Sequence, residues 1–101
     1  LYYLQHIFVT GGQDRLLGSV GLSDIAFAGP EATLGELASA VDAVETQASL
    51  EVLEDFFDSR DTPVAPVTDD LGRLVGALRR RSVYDALAEK AEESYLKSQG
   101  I

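Results

Sequence analysis

The sequence predicts an α/β fold of small sheets packed against helices, and three observations carry that prediction. Pro66-Val67-Thr68-Asp69-Asp70-Leu71-Gly72-Arg73-Leu74-Val75-Gly76-Ala77 places β-prone arms around an Asp-Asp-x-Gly turn. Gly accepts positive φ and Asp caps its own turn, so the segment reads as a β-hairpin. A fainter copy lies 58 residues earlier without a gap: Arg15-Leu16-Leu17-Gly18 stands beneath Arg73-Leu74-Val75-Gly76, Val9-Thr10 beneath Val67-Thr68, and Ile25 beneath Val83. The third observation is the order of elements: strand, strand, helix, then strand, helix, strand, strand, helix. Such alternation makes a sheet covered by helices rather than a bundle or barrel. The first unit lacks its opening strand and helix, so the first repeat is expected to be truncated at its N-terminus. The division falls at residues 1–38 and 39–101, and the chain reads as a piece of a longer protein.

Each element has a local reason. Leu1 to Thr10 is rich in aromatic and β-branched residues and ends at Gly11-Gly12, which reads as a buried strand followed by a turn. His6 within it is expected to be a packed or hydrogen-bonded strand residue rather than a ligand. Arg15 to Val20 is the return strand. Ser23 and Asp24 then cap a short helix through Ala28, which Gly29-Pro30 ends. Thr33 to Ala38 is a helical turn, and Val41 to Val44 is β-prone. Ser49 caps a helix over Leu50 to Ser59, with Leu50, Val52, Leu53, Phe56 and Phe57 on one half of the cylinder and Glu51, Glu54, Asp55 and Asp58 on the other. After the hairpin, Arg79-Arg80-Arg81 precedes a helix from about Ser82 to Gln99. Val83, Tyr84, Leu87, Ala88, Ala91 and Tyr95 share its apolar side.

Composition bounds the function. The 101 residues are 46% apolar and 25% charged, ordinary for a folded domain, with a net charge of −9. That charge argues against nucleic acid or an anionic membrane as the main partner and leaves cations or basic protein surfaces. There is no Cys, hence no disulfide and no thiolate metal site. No apolar run approaches the roughly 20 residues that span a bilayer, and no signal peptide is visible. With one His, no Gly-rich phosphate loop before a helix and no Ser, His and acid set, the chain is not expected to be an enzyme.

The repeat of strand, helix, hairpin and helix, with Pro66-Val67-Thr68-Asp69-Asp70-Leu71-Gly72-Arg73-Leu74-Val75-Gly76 at its hairpin, resembles the cystathionine β-synthase (CBS) domain, which works in pairs (Bateman modules). Gly18-Ser19-Val20-Gly21-Leu22-Ser23-Asp24-Ile25 looks like the hairpin exit of the preceding member. A narrower resemblance is to the cytosolic CBS pair of MgtE-type magnesium transporters. It rests on Tyr2-Tyr3, on Leu17 to Asp24, and on the acidic Glu89-x-x-Glu92-Glu93 helix leading to Gly100-Ile101.

That resemblance implies a regulatory module on the cytoplasmic side of the cell membrane, a homodimer, and a covalently linked membrane transport domain outside this chain. It implies Mg²⁺ held by carboxylates between domains and subunits, with Asp24, Glu51, Asp61 and Glu93 on the family's acidic positions and Asp58 near one that contributes its backbone. Mg²⁺ suits such sites because it prefers oxygen ligands and retains waters. Ser49, Ser82, Lys90 and Ser94 stand where the family often carries carboxylates, and Arg81 replaces a further acid. For Glu51, Glu54, Asp55 and Asp58 the alternative is a solvated helix face.

An adenine nucleotide, AMP or ATP, is the other ligand that the CBS resemblance implies. Asp24, next to Ser23, keeps the ribose-holding position, although Gly21 stands at the family's usual hydroxyl position, and Arg79 and Ser82 occupy the places of Gly21 and Asp24 in the second repeat. The alternative parent is thus a nucleotide sensor on another transporter or enzyme, and a third reading is a dimerisation scaffold without ligand. Three arginines at a helix start oppose the helix dipole, so an anion is expected near them: the chain's own acids, a dimer partner's, or a nucleotide phosphate.

Overall fold

Two hairpins built on one register form the frame. The computed structural model describes residues 6–100, so the part of the first strand expected over Leu1 to Gln5, the Tyr2-Tyr3 pair and Ile101 lie outside the described residues. Strand β1 (His6–Thr10) pairs antiparallel with β2 (Leu16–Gly21), followed by α1 (Leu22–Ala26) and α2 (Leu34–Leu37). The second half contains β3 (Val44–Glu45), α3 (Leu50–Asp58), β4 (Val64–Thr68), β5 (Leu74–Arg79) and α4 (Arg80–Ser98). Here β3 runs parallel to β4, and β4 antiparallel to β5.

The 58-residue period is present residue by residue. His6 faces Gly21 as Val64 faces Arg79, and Thr10 faces Leu16 as Thr68 faces Leu74, with an irregularity at Val9/Thr10 and again at Val67/Thr68. The turns of the two hairpins meet: the Leu16 amide donates to the Gly72 carbonyl at 3.0 Å, and Arg15 forms an antiparallel bridge with Arg73. Arg15 and Arg73 are repeat-mates, and an antiparallel bridge between equivalent residues places the two hairpins across a local two-fold axis.

Asp69 organises the second turn as its sequence predicts. Its carboxylate accepts from the Leu71 and Arg73 amides at 2.9 Å each and from Arg73 Nε at 2.7 Å, while Gly72 takes φ +79°. The first turn departs from expectation. Its left-handed residues are Gln13 and Asp14, both at φ 60°, and not the glycines before them. Asp14 holds the place that Gly72 holds in the second repeat.

The main core cluster lies in the second repeat, where Val44, Phe57, Ala65 and Val83 are buried and Leu50, Leu53, Val67, Leu78 and Leu87 pack around them, while Val9 and Val20 are buried in the first. α3 forms as predicted, with Ser49 Oγ accepting from the Val52 amide at 3.2 Å, and Phe57 fully buried. Val52, expected on the buried side, is exposed, because the sheet and α4 cover only the face carrying Leu53 and Phe57.

Several expectations for the first half and for α4 are corrected. β1 is not a buried strand: Val9 is buried, but His6 and Ile7 are exposed, because among the described residues β1 has β2 as its one strand partner. The first helix begins at Leu22 with Gly21 as its cap, so Asp24 sits one turn inside and its carboxylate accepts back from the Gly21 amide at 3.2 Å. The β-prone Val41 to Val44 contributes only Val44 to a strand, since two residues suffice to pair with Val67 and Thr68. α4 starts at Arg80, two residues earlier than expected. Its first two turns pack on the core, while Ala88, Ala91 and Tyr95 are exposed along the part that runs on, in a molecule 64 Å long.

Candidate functional site

Two clefts flank the hairpins. The first, about 520 Å³, is lined by Ser23, Asp24, Phe27 and Ala28 from α1 and its exit and by Glu36, Leu37 and Ser39 from the connection that follows. Ser39 is held there by reciprocal backbone bonds with Ser19, both 2.9 Å, which turn this connection back along β2. Phe27 is 91% exposed at the rim. The cleft therefore offers an aromatic ring, two carboxylates and two hydroxyls facing solvent.

The second cleft, about 330 Å³, lies between the connection to β3, the end of α3 and the start of β4. It is lined by Ala40, Val41, Asp42, Phe56, Arg60, Asp61, Thr62 and Val64. Arg60 carries its positive charge. The guanidinium stands 4.1 Å over the Phe56 ring, with Nε 3.1 Å from Asp42 Oδ2 and Nη1 donating to the Phe56 carbonyl at 3.2 Å and to Ser59 Oγ at 2.9 Å.

The sequence-derived site residues are thus distributed. Ser23 and Asp24 line the first cleft and Asp61 the second. Glu51 is exposed in the first turn of α3, and Glu93, on the exposed part of α4, is paired with Lys97 at 3.3 Å. Asp58 accepts a hydrogen bond from the Tyr84 hydroxyl, and this bond, more than the partial burial of the ring, pushes the Tyr84 hydroxyl above its ordinary pKa. Among the described residues no three His, Cys, Asp or Glu side chains gather as a metal site within one chain. Arg79 caps α4 without a side-chain bond and Ser82 is exposed in its first turn, so neither lines either cleft.

Of the three arginines, Arg80 meets a helix end and Arg81 one of the chain's own acids, Asp85. Arg80 Nη1 donates to the Phe57 carbonyl at 2.6 Å and the Arg60 carbonyl at 2.9 Å, and its guanidinium lies 5.1 Å over Tyr84. The last carbonyls of a helix carry the negative end of its dipole, so Arg80 answers the C-terminus of α3 rather than a carboxylate. Arg81 approaches Asp85 at 3.9 Å on the surface.

Sequence reasoning missed Arg60, Asp42 and this use of Arg80. A signal was present: Phe56 and Arg60, and Arg80 and Tyr84, are each four residues apart, the spacing at which an aromatic ring and a cation meet along a helix.

No protein-family model matches the chain. It is 32% identical over 91 residues, 89% of its length, to the magnesium transporter MgtE of Thermus thermophilus, of which it spans 20%. Among solved structures it superposes on the cytosolic domain of the Mg²⁺ channel MgtE in complex with ATP, with a TM-score of 0.73 and 30% identity over 83% of this chain and 34% of that one. It also superposes on the CBS pair domain of a putative Mg²⁺ transporter from Shewanella oneidensis, with a TM-score of 0.77 and 25% identity over 86% of this chain and 52% of that one. Among the described residues no helix is long and apolar enough to cross a membrane. The chain is a CBS domain pair by fold, similar over most of its length to the cytosolic CBS region of MgtE-type magnesium transporters.

Proposed function

We propose that this chain is the regulatory CBS region of an MgtE-like divalent-cation transporter, residues 1–38 forming the end of one CBS unit and 39–101 the next. The observation that carries the reading is the joint match in sequence and fold to MgtE. Ligand binding between domains or between the two chains of a homodimer biases an attached membrane portion between conducting and closed states, as differential affinity for the two states requires. Asp24, Glu51, Asp58, Asp61 and Glu93 supply the oxygen ligands that Mg²⁺ prefers, on surfaces that face a second domain or chain. Their exposure fits a weakly held, partly hydrated ion shared across an interface, and Mg²⁺ there neutralises carboxylates that would otherwise repel. The residues' own part is to present this charge at Glu51 and Asp61, while Asp58 is steadied by Tyr84 and Asp24 by the Gly21 amide.

A second ligand is supported by the first cleft, where Ser23, Asp24 and the exposed Phe27 ring stand together, and by the relative crystallised with ATP. We assign that cleft to an adenine nucleotide, with the Asp24 carboxylate accepting from ribose hydroxyls. Arg79 and Ser82 lie outside both clefts, which favours one nucleotide site over two.

Thermal unfolding tests both ligands, since a ligand of the native state raises apparent stability by mass action. Ionic strength is held constant, because screening alone stabilises a chain of charge −9. Mg²⁺ raises the midpoint where Ca²⁺ and NaCl do not, and Asp24→Ala or Glu93→Ala reduces the rise. AMP or ATP raises it separately, and Ser23→Ala with Asp24→Ala removes that effect. No shift with millimolar Mg²⁺ refutes the metal reading, and none with nucleotide refutes the second.

A further inference from the structure

The second cleft contains a contact that the proposed function leaves unused. Arg60 is fixed from below by the Phe56 ring at 4.1 Å, the Phe56 carbonyl and Ser59 Oγ, all belonging to the end of α3. Its remaining face meets Asp42, on the far wall of the cleft, with both Nε and Nη2 3.1 Å from the same Oδ2. The two walls are separated by 18 residues of chain, and Asp42 lies in the 40–43 stretch between Ser39, bonded to Ser19, and Val44 of β3. The Asp42 side chain is 73% exposed and that of Arg60 37%. One partner is thus anchored by its own wall, and the other is an exposed side chain reaching across the cleft.

We infer that Asp42 and Arg60 form a latch across the second cleft, which holds the 40–42 connection against α3 and restricts entry to the space lined by Thr62 and Val64. The anchored guanidinium is the fixed half. The carboxylate is the moving half, and its release opens the cleft without disturbing the core beneath. An ion pair this exposed is screened by salt and worth little in stability. That is what a latch requires, because a stronger pair would seal the cleft. The inference concerns access to this cleft and holds whatever ligand the module takes.

The absence of Cys from the chain makes access measurable. Thr62→Cys puts a thiol in the cleft with little change of size, and a neutral reagent, iodoacetamide, reports its accessibility without attraction to the acidic surface. Adding Asp42→Asn to Thr62→Cys speeds alkylation roughly two- to fivefold, the span of an exposed ion pair. Raising NaCl speeds alkylation in Thr62→Cys alone but not in the double variant. Arg60→Lys, which keeps the charge and loses the planar stack, also speeds it. Val83→Cys, buried in the core, reacts only by global unfolding and is unaffected by Asp42→Asn. Equal alkylation rates at Thr62→Cys with and without Asp42→Asn overturn the latch, as does an equal acceleration at Val83→Cys.

Discussion

Gly18 and Gly76 occupy the same place in the two repeats, yet the structure separates what an added methyl would do at each. A Cβ on Gly18 would lie 2.2 Å from the Ser39 carbonyl oxygen and 2.8 Å from its carbon, whereas one on Gly76 meets nothing within 4 Å. Ordinary contact begins near 3.4 Å, so Gly18→Ala forces the Ser39 backbone back by about 1 Å. It takes with it the two 2.9 Å bonds between Ser19 and Ser39. Two backbone hydrogen bonds at about 0.5–1.5 kcal/mol each, together with overpacking of about 1–3 kcal/mol, put the cost at roughly 2–6 kcal/mol. Gly76→Ala needs no such shift and only reduces the freedom of the unfolded chain, a gain of about 0.5–1 kcal/mol. Urea unfolding followed by circular dichroism resolves the difference: with m near 2 kcal/mol/M, the two midpoints separate by roughly 1–3.5 M. Equal midpoints would refute the packing of Ser39 on β2, and with it the shape of the first cleft.

Other consequences are checked by the same titration. Phe57→Ala empties the centre of the core and costs about 3–5 kcal/mol, while Val52→Ala on the same helix stays within about 0.5 kcal/mol. Arg80→Ala uncaps the end of α3 and costs about 1.5–3 kcal/mol, and Arg80→Lys recovers only part of it, because one ammonium does not reproduce the planar fork. Asp14→Gly places in the first turn the residue type that the second turn uses at φ +79°, and stabilises by about 0.5–1 kcal/mol. The Arg73 backbone amide, with further help from its side chain and the Leu71 amide, holds the Asp69 carboxyl below its ordinary pKa. A depressed folded-state pKa stabilises above the unfolded value and is lost as pH falls through the folded one. Unfolding free energy therefore declines on acidification below about pH 4, and this part of the decline disappears in Asp69→Asn.

The repeat, the hairpins and the order of elements were legible in the sequence because each is set by residues near one another in the chain. Turn chemistry at Asp69 and Gly72, the Ser49 cap and the 58-residue period all survive folding, since none depends on a distant neighbour. Helix faces were legible only where a neighbour exists to bury them. Leu53 and Phe57 meet the sheet, but Ala88, Ala91 and Tyr95 have the same spacing and remain exposed. Periodicity states which residues share a side, and burial also requires something on that side.

What only the tertiary structure decided is pairing across long separations. Nothing local to Arg80 announces that two carbonyls at the end of α3 will accept from it, and nothing local to Asp42 announces Arg60. Gly18 and Gly76 are the same residue in the same local pattern, and Ser39, brought alongside β2 by the fold, makes one of them irreplaceable and leaves the other free. Local sequence sets the conformations open to each segment, whereas close packing sets which atoms share the remaining space, and that second choice depends on the whole chain at once.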